Sequence, residues 1–125
     1  MANKKTVLVI DDDPDIIDSI KVILESSGFA VATAMSGQEG IDVALSAKPD
    51  LILCDMMMER IDAGSKVAEE LKKNKSFSAP IFLLSSIGDA TATNIEIDKL
   101  GFNGVFQKPV NPEQLISTIK KSLGI

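Results

Sequence analysis

Apolar residues follow two rhythms along this chain. Short unbroken runs occur at Thr6 to Ile10, Leu51 to Cys54 and Ile81 to Leu84, and the first of these reads as a strand buried on both faces of a parallel sheet. Weaker runs at Ala30 to Ala34 and Gly104 to Gln107 complete a set of five strands. Between them, apolar residues return every three or four positions, the spacing of one helix face. Ile16, Ile17, Ile20, Ile23 and Leu24 mark a first helix up to Gly28, with Asp13 as its cap and Pro14 in its first position. Ser36 and Glu39 form a capping box that opens a second helix through about Ala47, where Lys48-Pro49-Asp50 breaks it. A third is predicted from Asp62 or Ala63 to Asn74, and a fourth from Asp89 to Leu100 before Gly101. Asn111-Pro112 repeats the cap and proline ahead of a last helix carrying Leu115, Ile116, Ile119 and Leu123.

Five strands alternating with five helices predict an α/β fold. The sheet is doubly wound and parallel, and right-handed crossovers place helices on both of its faces. The 125 residues, 45% of them hydrophobic, suffice for one core, so a single domain over 1–125 is expected, without linker, repeat or low-complexity tract.

Charge and rare residues narrow the function. Thirteen Lys and Arg against 18 Asp and Glu give a formal net charge of -5, which removes the attraction that dominates nucleic-acid binding, so no direct nucleic-acid contact is expected. The lone Cys54 has no internal partner, the polar Met1 to Thr6 stretch holds no signal-peptide core, and no apolar run approaches the roughly 20 residues of a membrane helix. A cytoplasmic protein with no membrane anchor is the expectation. Without histidine, any chemistry must run on oxygen ligands, which excludes zinc-finger spacing and Cys/His catalysis.

In open α/β sheets, ligands bind beyond the carboxyl ends of the strands. There the first strand delivers Asp11-Asp12-Asp13, the third Asp55, the fourth Ser85-Ser86, and the fifth leads into Lys108-Pro109. If the first and third strands are neighbours, Asp11, Asp12 and Asp55 share one crevice. Carboxylates within about 5 Å repel by roughly 3 kcal/mol per pair at an effective dielectric near 20, so such a pocket holds either protons or a cation. A few carboxylates with room for water and phosphate suit Mg²⁺, and Mn²⁺ could substitute. A carboxylate beside such an ion can act as a nucleophile toward phosphorus, and Asp55 is the candidate. Lys108 and Ser85 fit the roles of neutralising and hydrogen-bonding the phosphoryl oxygens. Asp13 is better explained as a helix cap than as a ligand, Cys54 as core packing, and Met56-Met57-Met58 as loop and packing.

Taken together, Val7-Leu8-Val9-Ile10-Asp11-Asp12-Asp13-Pro14, Pro49-Asp50-Leu51-Ile52-Leu53-Cys54-Asp55 and Gln107-Lys108-Pro109 resemble the receiver domains of two-component response regulators over essentially the whole chain. The resemblance implies a flavodoxin-like sheet in the order 2-1-3-4-5. It implies Asp55 as phosphoacceptor, Asp12 as direct Mg²⁺ ligand, Asp11 as a second acid acting largely through water, and the Met57 backbone carbonyl as a further ligand. Ser85 and Lys108 are implied as the groups that hold the phosphoryl oxygens. A histidine kinase or phosphotransfer protein would be the donor. The chain would catalyse only its own phosphorylation and hydrolysis, and its output would pass through contacts with a downstream protein, as a monomer or a phosphorylation-dependent dimer. The contact face would lie around the fourth helix, the fifth strand and the last helix.

The sequence departs from the family pattern in three places. Val105 stands where the aromatic switch residue is expected, and Phe106, one place later, should face the other way. Glu59-Arg60 replaces the usual Pro-Gly, and Ser86 is bulkier than the common alanine or glycine. The alternative is a phosphorylation-independent interaction module with a receiver fold, which would leave the acids and Lys108 without purpose. An aspartate-nucleophile phosphatase would need an acid where Met57 stands. FMN phosphate would be repelled by the three aspartates.

Overall fold

The computed structural model describes residues 4–55, 79–86, 103–108 and 110–125, with backbone only at Ser85, Ser86, Gln107 and Lys108. Its elements are β1 (Thr6–Ile10), α1 (Pro14–Ser26), β2 (Ala30–Ala34), α2 (Gly37–Ala47), β3 (Leu51–Asp55), β4 (Ile81–Ser86), β5 (Gly104–Lys108) and α3 (Pro112–Leu123). The helices predicted from Asp62 or Ala63 to Asn74 and from Asp89 to Leu100 lie outside the described residues.

All five strands pair in parallel in one sheet, in the order β2-β1-β3-β4-β5, as the resemblance implied. Strand parity sorts the core into two layers. Leu8, Ile10, Ile52, Cys54, Ile81 and Leu83 point to the face covered by α2 through Ala44 and the half-buried Ile41 and Val43. Val7, Val9, Leu51, Leu53, Phe82, Leu84 and Phe106 point to the opposite face, under Ile17, Ile20 and Leu24 of α1 and Leu115 and Ile119 of α3. Val7 to Ile10 of β1 and Leu51 to Cys54 of β3 are therefore unbroken apolar runs, because neither face sees water. β2, at the sheet edge and only partly buried, carries smaller apolar residues, with alanine at three of its five positions.

Local chemistry fixes where the helices begin. The Asp13 carboxylate accepts from Asp15 N at 2.9 Å, and Pro14 fills a first-turn position that has no use for an N–H. Ser36 Oγ accepts from Glu39 N at 3.1 Å while Glu39 Oε1 accepts from Met35 N at 2.8 Å, so the capping box reaches back one residue beyond the cap itself. Asn111 Oδ1 accepts from Gln114 N at 3.0 Å to open α3. At the amino ends of the strands, Asp50 Oδ2 accepts from Thr6 N at 2.8 Å and Asp50 N donates to Thr6 O at 2.7 Å, which locks β1 against β3 in register. Among the described residues, no helix is long and apolar enough to cross a membrane.

Candidate functional site

Because β1 and β3 are parallel neighbours with Ile10 paired to Cys54, the next residue on each strand, Asp11 and Asp55, arrives at the same edge. The chain must turn there to enter α1, and hydrogen bonds hold the turn. Asp11 N donates to Ala34 O at 3.1 Å, tying it to the end of β2, and Asp11 Oδ1 accepts from Asp13 N at 3.0 Å. Asp13 in turn caps α1. The result brings one carboxylate oxygen each of Asp11, Asp12 and Asp55 within 4.8 Å of one another.

The three acids differ in depth. Asp11 is fully buried, Asp55 is 7% exposed, and Asp12 stands in solvent at the mouth. Oxygens on opposite corners of an octahedron built at Mg²⁺ ligand distances are about 4 Å apart, so the spacing fits one small cation held partly through water. An all-carboxylate donor set also selects a hard ion over a soft one. Beneath the acids lies Cys54, buried, its thiol donating to Asp55 O at 3.5 Å. Burial, then the charges of Asp55 and Asp11, push this thiol well above the ordinary range, so it stays protonated and packs as a small apolar group.

Two further candidates are placed by their backbones. Asp55 pairs with Leu84, so Ser85 follows one step along β4, next to the acid-bearing strand. Lys108 is the last residue of β5, paired with Ser86, so the fifth strand runs one residue beyond the predicted Gln107. Parallel pairing with β4 persists to Ser86 and carries Lys108 with it. Met57, Glu59 and Arg60 lie outside the described residues.

Val105 is 40% exposed, whereas Phe106 is buried with its ring centroid 5.4 Å from that of Phe82. The aromatic of β5 thus belongs to the core layer beneath α3, as strand parity predicted. Sequence reasoning missed the difference in depth between Asp11 and Asp12, and the bond from Asp13 N to Asp11. The second was within reach, since an aspartate accepting from the amide two residues on is a recurrent turn.

A family model described as the response regulator receiver domain matches residues 7–120. The alkaline phosphatase synthesis transcriptional regulatory protein PhoP of Bacillus subtilis is 36% identical over 126 residues, covering 97% of this chain and 49% of that protein. The DNA-binding dual master transcriptional regulator RpaA of Synechocystis is 30% identical over 118 residues, 94% of this chain and 48% of that one. The chain spans about half the length of these curated relatives. Among solved structures, the chemotaxis response regulator CheY4 of Vibrio cholerae superposes with a TM-score of 0.85 at 27% identity, over 97% of this chain and all of that one. The receiver domain of Francisella response regulator 1452 gives 0.83 at 30% identity, over 97% and 98% of the two chains.

Proposed function

The chain belongs to the response regulator receiver domain family, whose members work in phosphorylation-based signalling, and from that premise we propose that Asp55 is its phosphoacceptor. The observation that carries this reading is the convergence of Asp11, Asp12 and Asp55 within 4.8 Å at the carboxyl edge of the sheet.

In the proposed reaction a carboxylate oxygen of Asp55 attacks phosphorus, and the bond from phosphorus to the donor breaks as the new oxygen–phosphorus bond forms. With a phosphohistidine donor the departing electron pair returns to the imidazole nitrogen. With acetyl phosphate it leaves on acetate. A Mg²⁺ ion held by Asp11, Asp12 and Asp55, with the Met57 carbonyl as a further ligand, would neutralise charge on the transferring group. Lys108 and Ser85, at the ends of β5 and β4, would pair with and hydrogen-bond the phosphoryl oxygens. Water later cleaves the acyl phosphate and restores the carboxylate. The donor is a histidine kinase or phosphotransfer protein, and the phosphorylated surface is read by a downstream protein through a shift between pre-existing conformations.

Intact mass after incubation with acetyl phosphate tests the reading, using wild type and Asp55→Ala, each with Mg²⁺ and with EDTA. One phosphoryl adduct is expected in wild type with Mg²⁺ and in no other sample. An adduct that persists in Asp55→Ala moves the acceptor elsewhere. No adduct and no Mg²⁺ binding would leave a phosphorylation-independent interaction module.

A further inference from the structure

Asp13 lies outside the cluster of three acids and has so far served only as a helix cap. Two hydrogen bonds give it a second connection. Its backbone N–H donates to Asp11 Oδ1 at 3.0 Å, and its carboxylate accepts from Asp15 N at 2.9 Å. Its carbonyl also accepts from Ile17 N at 3.1 Å, the first turn of α1. The orientation of its N–H therefore depends on the extended backbone, φ -97° and ψ 109°, that the cap imposes. Asp11 is fully buried at the root of the crevice, so its carboxylate cannot swing into solvent to find another partner for Oδ1.

We propose that Asp13 is a positioning residue for the metal site: by capping α1 it fixes the amide that orients the Asp11 carboxylate toward the crevice. The inference rests on the reading of the three acids as a Mg²⁺ site. Groups that hold a ligand by its far side commonly govern metal affinity although they never touch the ion. By linkage, whatever the cap contributes to cation affinity the cation returns to the cap, so Mg²⁺ should also steady the first turn of α1.

The test compares two neutral replacements, which removes the charge of Asp13 from the comparison. Asp13→Asn keeps a capping oxygen and Asp13→Ala does not. Mg²⁺ dissociation constants are measured by calorimetric titration. Asp13→Asn is expected within about twofold of wild type, and Asp13→Ala about three- to tenfold weaker. Asn111→Ala, which removes the equivalent cap of α3, a helix that neither carries nor directly follows any of the three acids, controls for general loss of stability and is expected to bind as wild type does. In wild type, Mg²⁺ is expected to slow hydrogen exchange at the Asp13 and Asp15 amides, a readout that survives if Asp13→Ala folds poorly. Equal affinities for the two Asp13 variants, or an equal loss in Asn111→Ala, overturns the inference while leaving the metal site standing. Exchange at Asp13 and Asp15 that ignores Mg²⁺ does the same. Failure of wild type to bind Mg²⁺ removes the site and the inference together.

Discussion

Cys54 shows how far one residue can be read from its neighbours. Folding places its thiol under the acids, where ionisation is opposed first by burial and then by the charges of Asp55 and Asp11. A thiol whose folded pKa is raised contributes no pH dependence below the unfolded value near 8.5, and costs stability as pH rises above it. Between pH 7.5 and 9.5 the wild type should lose about 1.4 kcal/mol more than Cys54→Val, measured by urea unfolding at both values. Burial is the larger cause, so a cation beside Asp55 should leave most of the difference in place. Equal losses in the two proteins would mean that water reaches the thiol. At this scale much was legible. Asp13 as a cap and the opposed faces of Val105 and Phe106 follow from local rules of spacing and parity. The burial of Asp11 beside an exposed Asp12 does not, because depth is set by the tertiary packing around the strand end, and adjacent identical residues carry no sign of it.

Among elements, α2 lies close against β1 at a glycine. A Cβ added at Gly40 would stand 2.5 Å from Ile10 Cδ1 and 2.9 Å from its Cγ1, and Ile10, the residue before Asp11, is fully buried. Gly40→Ala should therefore cost about 1–3 kcal/mol by overpacking, despite alanine's better helix propensity. Thermal or urea denaturation checks the sign, and a stabilised variant would show that Ile10 gives way freely. The strands were legible as elements because both-face burial leaves an unbroken apolar run. Their exact ends were less so. β5 includes Lys108 since pairing with β4 carries the backbone on, and pairing between distant segments leaves no local mark. Glycine 40 was equally silent, since a close approach between α2 and β1 is a property of packing.

For the whole molecule, the proposed cation site sets repulsion among three converging carboxylates against the binding of an ion. Removing a charge at Asp12 relieves repulsion that is discounted by its exposure to about 1 kcal/mol. In EDTA, Asp12→Asn should melt about 3–5 °C above wild type. With Mg²⁺ at about 100 times its dissociation constant, wild type should gain about 2.7 kcal/mol and the order should reverse. Calorimetric melting of both proteins in both buffers checks the crossing. If the order is the same in EDTA and in Mg²⁺, the acids are not a cation site. The doubly wound architecture was legible from the alternation of elements. The strand order came by resemblance, since the spacing of the runs is compatible with several orders.

That order also decides when the crevice comes into being. β1 meets β2 through pairs such as Thr6 with Ala30, and β4 meets β5 through Phe82 with Gly104, but β1 meets β3 only when Val7 finds Leu51. This is the widest gap along the chain between any two neighbouring strands of the sheet, and closing it costs about 0.5 kcal/mol more chain entropy than joining β1 to β2. A nascent chain that has not yet emerged as far as Asp55 holds the residues of β1, α1 and β2, but not all three acids of the proposed site. The proposed site is thus completed only with the sheet's central seam, because Asp11 and Asp55 come together when β1 pairs with β3.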